Sequence, residues 1–80
     1  MKDALEVKLA FLPGGEEEAT VSCWKVEEGD TVEEGDRLVE LTTGKSVYRV
    51  PAPCSGTIAE ILVTEGDTVR LGEVLCVIEE

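Results

Sequence analysis

The stretches Val26-Glu-Glu-Gly-Asp-Thr-Val-Glu-Glu-Gly35 and Val63-Thr-Glu-Gly-Asp-Thr-Val-Arg-Leu-Gly72 decide how this chain folds. They are two copies of one phrase, offset by 37 residues (63 − 26). From Val26 to Leu38, eight of thirteen positions match: Val26, Glu28, Gly29, Asp30, Thr31, Val32, Gly35 and Leu38. Thr20 also lands on Thr57. Two copies are too few for a solenoid. They predict a small domain of two similar halves related by an approximate two-fold axis.

Outward from the repeat, short segments rich in Val, Ile and Leu lie between Gly-Asp and Pro-Gly punctuation. They are Ala4–Phe11, Ala19–Val26, Arg37–Thr43, Ser46–Val50, Thr57–Val63 and Val74–Glu79. Several alternate apolar and polar residues with a period near two, and frequent glycines interrupt any helical period. Regularly spaced short strands with turn signals between them predict an all-β sandwich or barrel.

One hairpin can be tested for register. If Gly44-Lys45 is a two-residue loop, Thr43 faces Ser46, Thr42 faces Val47, Leu41 faces Tyr48, Glu40 faces Arg49 and Val39 faces Val50. One face then carries Val39, Leu41, Tyr48 and Val50, and the other carries Glu40, Thr42, Val47 and Arg49. A slip of one residue would send one arm's apolar set to the wrong face. The opposite charges of Glu40 and Arg49 fall across from each other, a favourable cross-strand pair. Glycine at the first central position predicts a type II′ turn with positive φ at Gly44. Lys45 then stands at the tip with its side chain in solvent.

The repeat places this tip. At the same offset Thr43 maps onto Glu80, so the hairpin in one half corresponds to the open chain ends in the other. Two-fold symmetry puts Lys45 at one end of the molecule and the termini at the opposite end. Gly44-Lys45-Ser46 also resembles the end of a phosphate-binding loop. That motif needs a glycine where Val39 stands and a helix where Val47–Val50 reads as a strand. It is set aside.

Composition narrows the function. Eighty residues with one Phe, one Trp and one Tyr make one domain, residues 1–80, with a small aliphatic core. The net charge of −11 repels phosphate backbones, so nucleic acid is not an expected partner. Cys23, Cys54 and Cys76 are odd in number, and there is no histidine. Reduced thiols in a cytoplasmic compartment are expected, with Cys23 and Cys76 as small buried apolar residues. No metal set is formed, and no histidine-based triad can be assembled. The longest uncharged run, ten residues from Val50 to Ala59, holds two prolines and cannot span a bilayer. The amino-terminal residues lack the apolar segment of a signal peptide.

With these residues in place, the chain resembles the lipoyl domains of 2-oxo acid dehydrogenase dihydrolipoamide acyltransferases, within the biotinyl/lipoyl attachment family. The resemblance rests on Val7-Lys8-Leu9, Glu18-Ala-Thr-Val21, Trp24, the Val26 phrase, Val50-Pro-Ala-Pro-Cys-Ser-Gly56 and Ile61-Leu plus the Val63 phrase. It covers nearly the whole chain. It implies a flattened β-barrel or sandwich of two four-stranded antiparallel sheets with internal two-fold symmetry, the barrel-sandwich hybrid. It further implies covalent lipoate on Lys45, with Gly44, Ser46, Thr42 and Thr43 as turn and recognition residues. The loop Leu12–Glu18 would lie near the modified hairpin as a recognition surface.

The resemblance also implies a non-catalytic carrier, within a parent chain that is itself a dihydrolipoamide acyltransferase. Its implied partners are a lipoate ligase or transferase, a thiamine-dependent 2-oxo acid decarboxylase, the acyltransferase core and dihydrolipoamide dehydrogenase. Acyl groups and electrons would pass between their active sites on a swinging arm. The alternatives are a biotin carboxyl carrier and a lipoyl-like scaffold that is never modified. The tip reads Gly44-Lys45-Ser46, where lipoyl domains usually carry Asp-Lys-Ala and biotin carriers Met-Lys-Met. Thr42 replaces the family's frequent glutamate, and Pro13-Gly14-Gly15 replaces its Gly-Glu-Gly.

Overall fold

A computed structural model describes residues 3–80. Eight strands form two four-stranded antiparallel sheets. In chain order they are β1 (Ala4–Lys8), β2 (Glu18–Trp24), β3 (Thr31–Val32), β4 (Arg37–Thr42), β5 (Val47–Pro51), β6 (Gly56–Ile61), β7 (Thr68–Arg70) and β8 (Val74–Glu79). One sheet runs β1-β8-β6-β3 and the other β5-β4-β2-β7. Pro13–Gly15 form a single 3₁₀ turn between β1 and β2. Among the described residues no helix is long and apolar enough to cross a membrane.

The repeat is reproduced in the register. Thr20 pairs with Thr42, and Thr57 with Glu79, each partner 37 residues further on. Val21–Leu41 becomes Ile58–Ile78, and Trp24–Val39 becomes Ile61–Cys76. Both ladders carry a bulge at the matching place, between Val21 and Cys23 and between Ile58 and Glu60. The two sheets exchange under one operation that carries β1, β8, β6 and β3 onto β5, β4, β2 and β7.

The six segments expected from the sequence all contain strands. β3 and β7 were not among them. With two and three residues, they are too short to show alternation. Each sits inside the repeated phrase, after a turn that uses a glycine with positive φ, 94° at Gly29 and 95° at Gly66. The following aspartate closes the turn in both copies. Asp30 Oδ2 accepts the Glu27 N–H, and Asp67 Oδ2 accepts the Thr64 N–H, both at 2.9 Å. A short carboxylate that bonds backbone two or three residues away is what favours Asp in such turns. This is why Gly-Asp recurs.

The core lies between the sheets and is entirely apolar among the described residues. Its members come in twins: Val21 and Ile58, Val32 and Val69, Leu38 and Leu75, Val39 and Cys76, Leu41 and Ile78. Cys76 is fully buried, as expected, but Cys23 is only half-buried. The bulge beside Cys23 turns its side chain out of the regular alternation. Trp24 straddles the halves, its indole N–H donating to the Val63 carbonyl at 2.9 Å.

One twin pair is unequal. Ala19 is buried with its methyl in place, whereas its counterpart is Gly56. A Cβ at Gly56 would fall on the Glu79 carbonyl and 2.7 Å from Ile78 Cγ2. Gly56→Ala is expected to lower the unfolding free energy by about 1–3 kcal/mol, the usual range for overpacking. Urea unfolding checks this, and a loss within about 0.5 kcal/mol would show that β8 yields without strain.

Burial also pushes the Cys76 thiol up from its ordinary value of 9.0 to about 11. Unfolding returns it to solvent, where it ionises more readily. This thiol therefore leaves stability unchanged below about pH 9 and lowers it as pH rises from about 9 to about 11. The fall is on the order of 3 kcal/mol for a shift of this size. The difference in unfolding free energy between wild type and Cys76→Ala, followed from pH 8 upward, isolates it. A pH-independent difference would refute the assignment.

Candidate functional site

The hairpin from Arg37 to Pro51 has the expected register. Thr42 pairs with Val47, Leu41 with Tyr48, Glu40 with Arg49 and Val39 with Val50. Val39, Leu41 and Val50 are buried, Tyr48 is half-buried, and Thr42, Val47 and Arg49 face solvent. Arg49 Nε lies 3.3 Å from Glu40 Oε2 across the strands. Both side chains are partly exposed, so this pair adds little beyond register.

Beyond Thr42 the loop is Thr43-Gly44-Lys45-Ser46. Gly44 and Lys45 are exposed, and Thr43 and Ser46 are half-buried. Among the described residues the Lys45 side chain makes no ion pair or hydrogen bond. An acyl group on its ε-amine would therefore displace nothing. A covalently tethered arm fits here without rearrangement, because the lysine projects from an apex rather than lining a pocket.

The turn differs from the expected type II′. Gly44 does not lie at positive φ, and no other loop residue does. The Thr43 side chain supplies the reason. The Lys45 and Ser46 N–H groups donate to Thr43 Oγ1 at 3.2 and 3.0 Å. The Thr43 N–H donates to the Ser46 carbonyl at 2.8 Å and completes the ladder. The Thr43 hydroxyl also lies 3.2 Å from the Ser46 carbonyl and 3.3 Å from Ser46 Oγ, so its own proton has an acceptor. A hydroxyl that accepts from the amides two and three residues further on stabilises a turn with ordinary negative φ. A threonine directly before Gly-Lys was the sequence signal for this, and it was legible only as a member of the loop.

The opposite pole is the two-fold counterpart. The Glu80 N–H donates to the Asp3 carbonyl at 2.9 Å, the image of the Thr43–Ser46 bond. Asp3 and Glu80 thus occupy the place that Ser46 and Thr43 occupy in the other half of a molecule 40 Å long and 18–19 Å across. Cys54 sits at this terminal pole. Partial desolvation, and then the carboxylates of Glu80 and Glu34, raise its thiol above the ordinary range.

The loops beside the two poles are unequal. The strand offset changes from 37 (57 − 20) to 43 (47 − 4) across the connection from β1 to β2, so six extra residues lie there. They bring Phe11 against Tyr48 with ring centroids 5.7 Å apart in an edge-to-face contact. This seats the loop 12–18 on the Lys45 pole, three residues from the lysine along β5. Phe11 remains 59% exposed. The sequence did not foretell this pairing, because the two rings are brought together by the fold alone.

A shallow apolar groove of about 310 Å³ runs between the edge strands β1 and β5, lined by Leu5, Val7, Leu9, Phe11, Tyr48 and Val50 among others. Its lining also includes Glu6 and Lys8 of β1. Among the described residues no group of three or more His, Cys, Asp or Glu could hold a metal ion. The site is therefore an exposed amine on a rigid stalk.

Such an apex is suited to carrying a covalently attached group. The family model described as "Biotin-requiring enzyme" matches residues 6–78. The chain belongs to the biotinyl/lipoyl attachment family. Within it, the chain resembles lipoyl domains of the acyltransferase type. It is 40% identical over 76 residues to the dihydrolipoyllysine-residue acetyltransferase component of the pyruvate dehydrogenase complex of Staphylococcus epidermidis. That match covers 95% of this chain and 18% of the relative.

Two solved structures share the fold. The lipoyl domain of the 2-oxoglutarate dehydrogenase complex of Azotobacter vinelandii is 36% identical with a TM-score of 0.74, covering 94% of this chain and 95% of that one. Kluyveromyces lactis urea carboxylase is 29% identical with a TM-score of 0.79, covering 95% of this chain and 6% of that one. Domains of this family are carriers and not catalysts.

Because Gly44 has ordinary φ and a Cβ there would meet nothing within 4 Å, the turn does not require glycine. Gly44→Ala is expected to leave the fold intact and to stabilise it by up to about 1 kcal/mol, by restricting the unfolded chain. A destabilisation above about 1 kcal/mol in thermal or urea unfolding would restore the positive-φ turn.

Proposed function

We propose that Lys45 is the attachment point of a lipoyl group and that residues 1–80 work as one lipoyl carrier domain. The observation that carries this reading is the unpartnered Lys45 side chain at the apex of the β4–β5 hairpin. The 40% identity to an acetyltransferase named for its dihydrolipoyllysine residue supports lipoate over biotin. When bound, lipoate supplies a dithiolane able to take up an acyl group and two electrons. The chain's own residues display it. Lys45 forms the amide, Thr42, Thr43, Gly44 and Ser46 form the surface a modifying enzyme reads, and the paired strands keep that surface away from the core. Tethering through the chain ends at the other pole would hold the arm at high effective concentration near each active site.

The identity to an acetyltransferase component supports a dihydrolipoamide acyltransferase as the parent protein, and the chain spans 18% of the length of that relative. The partners are a lipoate ligase or transferase, a thiamine-dependent 2-oxo acid decarboxylase, the acyltransferase core and dihydrolipoamide dehydrogenase. The setting is the cytoplasm, which agrees with three free cysteines. The net charge of −11 favours partner surfaces that are basic.

Biotin on Lys45 is the second reading, favoured by the TM-score of 0.79 to a carboxylase. Backbone likeness does not separate the two cofactors, because the same scaffold presents the same apex. Intact mass of the chain from its own host separates them. A lipoyl increment is expected in the wild type and absent from Lys45→Arg. A biotin increment would select the second reading, and an unmodified mass with lipoate available would leave a scaffold or interaction domain.

A further inference from the structure

We propose that Thr43 is the positioning residue of this site, clamping the backbone of Lys45 so that a ligase meets the ε-amine on a turn of one fixed form. The proposal rests on the carrier reading and deepens it. In the step concerned, the amine attacks the carbonyl carbon of an activated acyl group, an acyl-phosphate anhydride. The new C–N bond forms, the phosphate leaves with its bonding pair, and the amine gives up a proton. Every part of that step depends on where the amine is held.

Three observations single out Thr43. First, Thr43 Oγ1 takes two of the amide protons that the tip leaves without a strand partner, those of Lys45 and Ser46. Secondly, the two-fold provides an internal comparison. At the terminal pole the backbone bond is repeated, Glu80 to Asp3 at 2.9 Å, but the residue in the place of Thr43 is Glu80, which brings no hydroxyl. The hydroxyl set is thus an addition at the lysine pole and not a requirement of the fold. Thirdly, Gly44 leaves the loop a choice of turn. Glycine reaches positive and negative φ with similar ease, so Gly-Lys alone admits a type II′ turn as well as the one observed. The two forms point the Lys45 peptide differently. Oγ1 can accept from both amides only in the observed form, and the branched Thr side chain has few rotamers in which to do so. Where the family's usual Asp-Lys-Ala tip restricts its own first position, this chain relies on the residue before the glycine.

The test compares wild type with Thr43→Val, which keeps the branch and removes the acceptor, and Thr43→Ser, which keeps the acceptor. Amide exchange by NMR is read at Lys45 and Ser46, with Leu41 and Val50 as controls. Initial rates of acylation by a lipoate ligase are read as kcat and KM. In Thr43→Val, exchange at Lys45 and Ser46 is expected to rise about fivefold or more, the factor for one neutral hydrogen bond. The controls stay unchanged, and kcat/KM for acylation falls by a similar factor. Thr43→Ser is expected to restore both readouts to within about twofold of wild type. Unchanged exchange or unchanged acylation in Thr43→Val overturns the proposal, as does failure of Thr43→Ser to rescue. A wild-type chain that no lipoate ligase acylates overturns the carrier reading, and with it any service of the clamp to a ligase. Unchanged Thr43→Val values beside a modified wild type overturn the clamp alone.

Discussion

Everything in this molecule depends on one constraint: each four-stranded sheet has one apolar face, and only the other sheet can cover it. Among the described residues neither half has an α-helix to pack against. The core holds Val, Leu, Ile, Ala and one cysteine, with no buried polar side chain among the described residues. Removing such a side chain from water is worth on the order of 1.5–3 kcal/mol each. A core this small cannot forgo many of them, which is why the two halves are near copies. A residue that fits its place in one half has a ready partner of matching shape in the other.

Where the copies diverge, the molecule acquires its polarity. At one pole β4 turns into β5 through the Thr43–Ser46 loop, and at the other Asp3 and Glu80 fill the matching place. Six added residues between β1 and β2 bring Phe11 to Tyr48 beside the lysine pole. The symmetric part of the sequence makes the scaffold, and the asymmetric part makes the site.

A carrier has to change its chemical state without changing its stability. The geometry meets this directly. Lys45 is separated from the core by exposed Thr42 and Val47, and its side chain supports no contact that acylation would break. The hydrogen bonds that shape the apex involve Thr43, Ser46 and backbone amides, and none uses the ε-amine. Shape and chemistry are thus assigned to different residues of one four-residue loop.

The sequence by itself determined the two-fold repeat, the strand register of the β4–β5 hairpin and the exposure of Lys45. These follow from period-two alternation and a fixed offset, which are one-dimensional signals of burial. It did not determine β3 and β7, whose two and three residues are held by neighbours rather than by their own pattern. It did not determine the turn at Gly44, because glycine admits several turns and the choice fell to a hydroxyl one residue earlier. Nor could it place Phe11 on Tyr48 or forbid a methyl at Gly56, where the counterpart Ala19 carries one. Those outcomes belong to the tertiary structure, since they depend on distances between segments that the chain order leaves free.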